Sequence, residues 1–354
     1  MSPSSLALVL VLVLVAAAMP AKATGFAGLP AGNVTTFTID LDSPPEDHFK
    51  AVTEAYKEQI GALLAFIAQA IPSKYVPLAE KVAADVEFVF GAEVAGELRG
   101  MAATSGYSLG EITLLNVLYE LTAYCTSIVT KTADGRLVHA RNLDYGLSPA
   151  LANVTYHAVF VRGNTTVFEA TTFAGFAGVL TGMSKTISVT VDERDQGFPW
   201  ENAFAALFEG GKAVTFLIRE LLESASPVAY DAAVTTLSRT PLIAPSYVIV
   251  GGGTENDGTI IARNRYDAAG YLELQPLSAT PWIVVTNYDM WKPDNPKDPR
   301  RTYALEHLSA IGAAHLTPMA LLDVIATPPV LNHKTVYSIV ACVGTQEYVS
   351  YLRA

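Results

Sequence analysis

Residues 125–145 read Cys-Thr-Ser-Ile-Val-Thr-Lys-Thr-Ala-Asp-Gly-Arg-Leu-Val-His-Ala-Arg-Asn-Leu-Asp-Tyr. Thr126 to Thr130 is rich in β-branched residues, and Arg136 to Arg141 resumes a strand pattern. Ala133-Asp134-Gly135 between them supplies turn residues, so the stretch predicts a β-hairpin. Cys125 then opens one strand, and the facing strand ends at Arg141 and Asp144.

That placement carries chemistry. A guanidinium close to a thiol favours the thiolate. A carboxylate at Asp144 can orient the arginine or a nearby ammonium group. The missing general base can be an α-amine, provided Cys125 becomes an N-terminus. A free α-amine titrates at about 7.7–8.0, and it must be lowered to work as a base in acid. Two plainer readings stand beside this one: Arg141 and Asp144 as a surface ion pair, and a Cys125–His139 pair. The second suffers in acid, where a histidine base is charged.

Working outward, Val34 to Leu41 alternates apolar and polar residues and predicts a strand, stopped by Asp42-Ser43-Pro44-Pro45. Pro45 to Phe90 turns helical, through Leu63, Leu64, Phe66, Ile67 and Ile71, then Val82, Val86, Val89 and Phe90. A further helix spans Ser108 to Tyr119, with Ser108 and Glu111 in capping-box spacing. After the hairpin, strands are predicted at Tyr156–Val161, Thr166–Thr171 and Ser188–Val191, and a helix at Trp200–Leu222. A second hairpin pairs Tyr247–Val250 with Thr259–Ala262. Then come a strand at Trp282–Asn287, helices near Arg301–Ile311 and Pro318–Ile325, and strands at Val336–Val343 and Tyr348–Leu352. A helical front before a strand-rich part predicts an α+β fold with sheets sandwiched by helices.

The bulk properties agree. The 354 residues are 51% apolar and 16% charged, enough for a sizeable core. The net charge of −11 disfavours nucleic acid as a partner. At a sequence pI near 5.0, little net charge remains in a mildly acidic compartment, and an anionic lipid surface no longer repels the chain. Leu6 to Ala18 is apolar, too short for a comfortable span, and followed by Ala21-Lys22-Ala23. Residues 1–23 therefore read as a signal peptide, with a membrane anchor as the alternative. Sequons at Asn33, Asn153 and Asn164 suit a glycosylated secretory product. The two cysteines, Cys125 and Cys342, either pair or leave a thiol free for a reason. Gly251-Gly252-Gly253 lies between two strands and reads as a turn, not a dinucleotide fingerprint. The six histidines lack the spacing of a metal site, so neither metal nor cofactor is expected.

The run Cys-Thr-Ser-Ile-Val, followed by His-Ala-Arg-Asn-Leu-Asp-Tyr, resembles the cleavage and active-site segment of the acid ceramidase-like family. That family includes acid ceramidase and N-acylethanolamine-hydrolysing acid amidase, in the choloylglycine-hydrolase-like branch of N-terminal nucleophile hydrolases. The resemblance continues through Gly96-Glu97-Leu98-Arg99-Gly100-Met101, Asp192-Glu193-Arg194-Asp195 and Trp200-Glu201-Asn202-Ala203. It extends to Thr240-Pro241-Leu242-Ile243-Ala244, Thr286-Asn287-Tyr288-Asp289, Trp291-Lys292-Pro293 and Arg300-Arg301-Thr302. It implies an αββα sandwich cut at Tyr124–Cys125 into an α subunit, residues 24–124, and a catalytic β subunit, residues 125–354. Cys125 matches the nucleophile, Arg141 the arginine that polarises its thiol, and Asp144 the carboxylate that holds the new α-amine. Asn287 matches the oxyanion donor, Arg300 a second active-site arginine, and Glu193 a glutamate near the substrate's polar end.

Within the family, Asp-Glu-Arg-Asp before a Trp-Glu-Asn helix start looks more like the amidase than the ceramidase. Phe198-Pro199-Trp200 departs from the amidase's adjacent tryptophans. The implied activity is hydrolysis of N-acylethanolamines in the lysosome or secretory pathway, with a ceramidase or a non-catalytic lipid-binding homologue as alternatives. Leu63, Leu64, Phe66 and Ile67, with Phe204, Leu207 and Phe208, fit either core packing or a patch for transient membrane or micelle contact. Cys342 reads as a buried structural thiol.

Overall fold

The computed structural model describes residues 32–70, 90–118, 123–146, 148–194, 211–273 and 281–353. Strands β1 (Gly32–Asn33), β2 (Thr36–Asp40), β3 (Ala123–Lys131), β4 (Leu137–Tyr145), β5 (Thr155–Arg162), β6 (Thr165–Phe173) and β7 (Thr181–Ser184) come first. They are followed by β8 (Ile187–Glu193), β9 (Ser246–Gly252), β10 (Gly258–Arg263), β11 (Ala268–Glu273), β12 (Trp282–Val285), β13 (Thr335–Cys342) and β14 (Glu347–Leu352). One sheet has the order β1-β14-β13-β4-β3-β12, the other β11-β10-β9-β8-β7-β6-β5-β2. Among the strands of the described residues, only β2 with β5 pairs in parallel.

The sheets face each other, and helices cover their outer faces. Val129, Leu137, Ile283 and Val285 of the first meet Tyr247, Ile249, Ile260 and Ala262 of the second. On the first sheet's far side, Ile128, Val138 and Ala140 bury against Ala304 and Leu308 of helix Arg300–Ile311 and Leu321 and Val324 of helix Pro318–Ile325. Helices Val214–Glu223 and Tyr230–Arg239 cover the second sheet. This is an αββα sandwich, as the sequence predicts. Each fully buried aliphatic side chain contributes about 1.5–3 kcal/mol to it. Val52, Ile60, Leu98 and Ile112, all before Cys125, share one core with Phe160, Phe168 and Leu217, all after it.

Both hairpins form where turn chemistry placed them, with Gly135 at φ +83° in the first. Ser108 and Glu111 exchange their reciprocal backbone bonds at the start of helix Leu109–Leu118. Helix Ala92–Ser105 was not foreseen, because small residues give it little apolar periodicity. Gly91 and Gly106, both at positive φ, bracket it. Helix Tyr230–Arg239 and strands β7 and β11 were also missed. The predicted helix Trp200–Leu222 is seen from Val214 onward; its earlier part, with Phe204, Leu207 and Phe208, lies outside the described residues. So do residues 1–31, Val82, Val86, Val89 and Asp195. On helix Lys57–Ala70, Leu63, Leu64 and Ile67 are core, whereas Phe66 is 41% exposed. Among the described residues no helix is long and apolar enough to cross a membrane.

Candidate active site

In the β3–β4 register Cys125 stands opposite Leu143 and Ser127 opposite Arg141. Strand side chains alternate, so Cys125, Ser127, Val129, His139 and Arg141 point between the sheets. Thr126, Ile128, Asn142 and Asp144 point toward the helices. Arg141 and Asp144, three apart, therefore face opposite ways, and both are buried. The surface-pair reading is corrected on that ground.

Cys125 is 0% exposed. Arg141 Nη2 donates to its Sγ at 2.8 Å and to the Val191 carbonyl at 2.7 Å. Arg141 Nη1 donates to the Leu180 carbonyl at 2.7 Å and to the Thr181 hydroxyl. The opposite sheet thus holds the guanidinium against the thiol. Burial pushes the Cys125 thiol up, and Arg141 pulls it back only in part.

Asp144 belongs to the site through Arg300, the first residue of its helix. Asp144 accepts from Arg300 Nη1 at 3.1 Å, Asn332 Nδ2 at 2.8 Å and the Thr335 hydroxyl at 2.7 Å. Burial raises its pKa, while Arg300 and these two donors act the other way. Arg300 Nη1 also reaches the Cys125 carbonyl at 2.7 Å, and Nη2 reaches Asn287 Oδ1 at 2.9 Å. Asn287 Oδ1 accepts the Cys125 amide N–H at 3.0 Å, and Nδ2 donates to the Glu193 carbonyl at 2.8 Å. Thus Cys125, Arg141, Asp144, Asn287 and Arg300 converge, and Glu193 joins through its backbone. Tyr124, half-exposed, carries the Lys334 ammonium 4.7 Å from its ring centroid.

His139 is not positioned as the base. Its Nδ1 and Nε2 meet the Ser188 and Thr190 hydroxyls, both at 3.1 Å. Burial, with Arg141 nearby, lowers its pKa to about 3. Cys125 and Cys342 are both buried and unpaired, Cys342 packing in the cluster of Ile128 and Val138. Asn153 and Asn164 are exposed, and Asn33 lies in β1.

One site residue escaped the sequence reading. Asp192 of β8 is fully buried; its Oδ1 accepts from the Ser127 hydroxyl at 2.8 Å and stands 3.8 Å from Arg141 Nη2. Among the described residues its Oδ2 has no hydrogen-bond partner. Burial raises its pKa to about 7 against the pull of Arg141. The available signal was parity: Ser188, Thr190 and Asp192 lie on one strand face, and a carboxylate at an inward position is costly.

A family model described as the beta subunit of N-acylethanolamine-hydrolyzing acid amidase matches residues 32–90, wholly before Cys125. The chain is 36% identical over 326 residues to the N-acylethanolamine-hydrolyzing acid amidase of Rattus norvegicus, covering 91% of this chain and 90% of the relative. It is 33% identical over 344 residues to the acid ceramidase of Bos taurus, covering 91% and 87%. Among solved structures, the Caenorhabditis elegans N-acylethanolamine-hydrolyzing acid amidase ortholog matches with a TM-score of 0.56 and 38% identity. That match covers 62% of this chain and 93% of the other.

Proposed function

The chain belongs to the family of N-acylethanolamine-hydrolyzing acid amidases and acid ceramidases, a family of amide hydrolases, and we propose that it cleaves N-acylethanolamines to a free fatty acid and ethanolamine. The observation that carries this reading is the contact of Arg141 Nη2 with Cys125 Sγ, beside an Asn287 that binds the Cys125 nitrogen.

The reaction begins on the chain itself. The Cys125 thiol attacks the Tyr124 carbonyl, forming a C–S bond. The Cys125 nitrogen departs with a proton, and water hydrolyses the thioester. This frees the α-amine and uncovers a thiol that is buried in the uncut chain. The α-amine then takes the thiol proton as sulfur attacks the substrate carbonyl. Ethanolamine leaves with that proton, and water releases the fatty acid from the thioester. Arg141 favours negative charge on sulfur. Asp144 and Arg300 fix the cleaved end. Asn287 Nδ2 exchanges the Glu193 carbonyl for the substrate oxyanion, a contribution of about 2.7–4 kcal/mol in comparable holes. Glu193 stands near the substrate's polar end.

The remaining parts of the reading are the two-subunit processed form, secretion to the lysosome with glycans at the three sequons, and micelle or membrane contact that uses exposed Phe66. Acidified protein given equal N-palmitoylethanolamine and ceramide in mixed micelles tests the substrate. Faster ethanolamine release supports the amidase reading. Faster sphingosine release moves the chain to the ceramidase side, and no product from cleaved or uncut protein sinks both.

A further inference from the structure

Asp192 has no part in the reaction just given, yet it sits inside the site. Arg141 Nη2 donates to Cys125 Sγ at 2.8 Å and to the Val191 carbonyl at 2.7 Å, and it also stands 3.8 Å from Asp192 Oδ1. The carboxyl is fully buried, takes one short bond from Ser127, and among the described residues leaves Oδ2 without a hydrogen-bond partner. A carboxylate charged in that setting carries an uncompensated cost and repels any negative charge on the adjacent sulfur.

We propose that Asp192 is a positioning residue whose neutral, protonated form lets charge develop at Cys125, so that self-cleavage and hydrolysis both run on that form. This rests on the proposed N-terminal nucleophile reading. When Asp192 is ionised, Arg141 divides its field between two anions, and charge on sulfur or on the carbonyl oxygen is opposed. When Asp192 is neutral, the reacting sulfur is the one anion that draws on the Arg141 charge. Asp192 keeps its own proton throughout. The thiol proton goes to the departing Cys125 nitrogen in the first event and to the α-amine afterwards.

The surroundings fit this assignment. β3 presents the Cys125 thiol and neutral Ser127, and β4 presents Arg141 and, one layer along, a His139 kept neutral by burial. β13 contributes Tyr337, whose pKa is raised to about 12 by burial, with Asp192 among the groups acting on it. Tyr247 stands opposite in the β9 register and turns its hydroxyl to Asp289. Arg300 at its helix start acts from further off, with Asp144 behind it. Among the described residues Arg141 and Arg300 are the positive groups that act on it most, and they do not outweigh desolvation: the carboxyl pKa rises to about 7.

The test is the rate of self-cleavage of purified precursor from about pH 4 to about pH 9, followed by intact mass. The wild-type rate should fall about tenfold per pH unit above the Asp192 titration. Asp192→Asn, permanently neutral, should lose that fall. Ser127→Ala removes a bond that favours the carboxylate and should move the fall to higher pH. An unchanged fall in both variants overturns the proposal. Carboxyl NMR of the uncut chain gives an arm independent of cleavage. A buried aspartyl group that titrates near neutrality and moves in Ser127→Ala supports the assignment. No such group refutes it, whether or not the chain cuts itself.

Discussion

Breaking the buried pair of Glu97 and Arg219 should loosen the molecule more than any surface change. Arg219 Nη1 and Nη2 donate to the two Glu97 oxygens at 2.6 and 2.5 Å, and His48 Nδ1 meets Glu97 Oε1 at 2.7 Å. Both carboxylate oxygens are taken by a guanidinium, so this group is a latch and not a cation site. Its members lie on both sides of the Tyr124–Cys125 bond, so it would tie the two parts together once that bond is cut. Removing one partner strands the other in the core, which costs about 3–5 kcal/mol, roughly two to four powers of ten in folding equilibrium. Replacing both by apolar residues should cost less than either single change. The folded pKa of Glu97 is lowered: burial raises it, and Arg219 and His48 outweigh that. Its contribution is present above the unfolded value of about 4.3 and is lost as pH falls through the folded one. The folded pKa of His48 is raised: burial lowers it, and Glu97 outweighs that. Its contribution is present below about 6.5 and is lost as pH rises through the raised value. Both act together on the acid side of neutrality. Urea unfolding of Glu97→Leu, Arg219→Met and the double variant, near pH 5 and near pH 8, reads this directly. Single variants within about 0.5 kcal/mol of wild type, or a double variant equal to their sum, would refute the reasoning.

Three further outcomes follow from particular contacts. Asn287→Ala removes the donor assigned to the oxyanion and should lower kcat by about a hundred- to a thousandfold, with the folded state retained, measured on processed protein. His139 is buried and neutral with a pKa near 3. Stability should therefore fall as pH drops below its unfolded value of about 6.5, and His139→Gln should remove that slope in urea midpoints measured against pH. A Cβ on Gly100 would stand 1.9 Å from the Glu46 carbonyl oxygen, so Gly100→Ala should cost about 1–3 kcal/mol in unfolding experiments.

Much of this was legible in the chain. Turn chemistry at Ala133–Gly135 and Asp257–Gly258 identified the hairpins, because glycine and aspartate act locally. Helix Ala92–Ser105 was not legible, since Gly96 and Gly100 are there for close approach to Pro45 and Glu46, a tertiary reason without periodicity. For the site, Cys125 and Arg141 share a strand face, which alternation could reveal. Asp144 faces away and joins by hydrogen bonding to Arg300, 156 positions along, which no local pattern encodes. Asp192 was visible within its motif, but its role depends on the opposing sheet.

The most direct measurement is the N-terminus of the larger fragment after the purified precursor is acidified, read by sequencing and intact mass for wild type and Cys125→Ala. The nucleophile reading predicts a wild-type fragment that begins at Cys125 and a variant that stays whole and inactive. A variant cut at the same bond, or a wild-type fragment that begins elsewhere while amide hydrolysis proceeds, would contradict it.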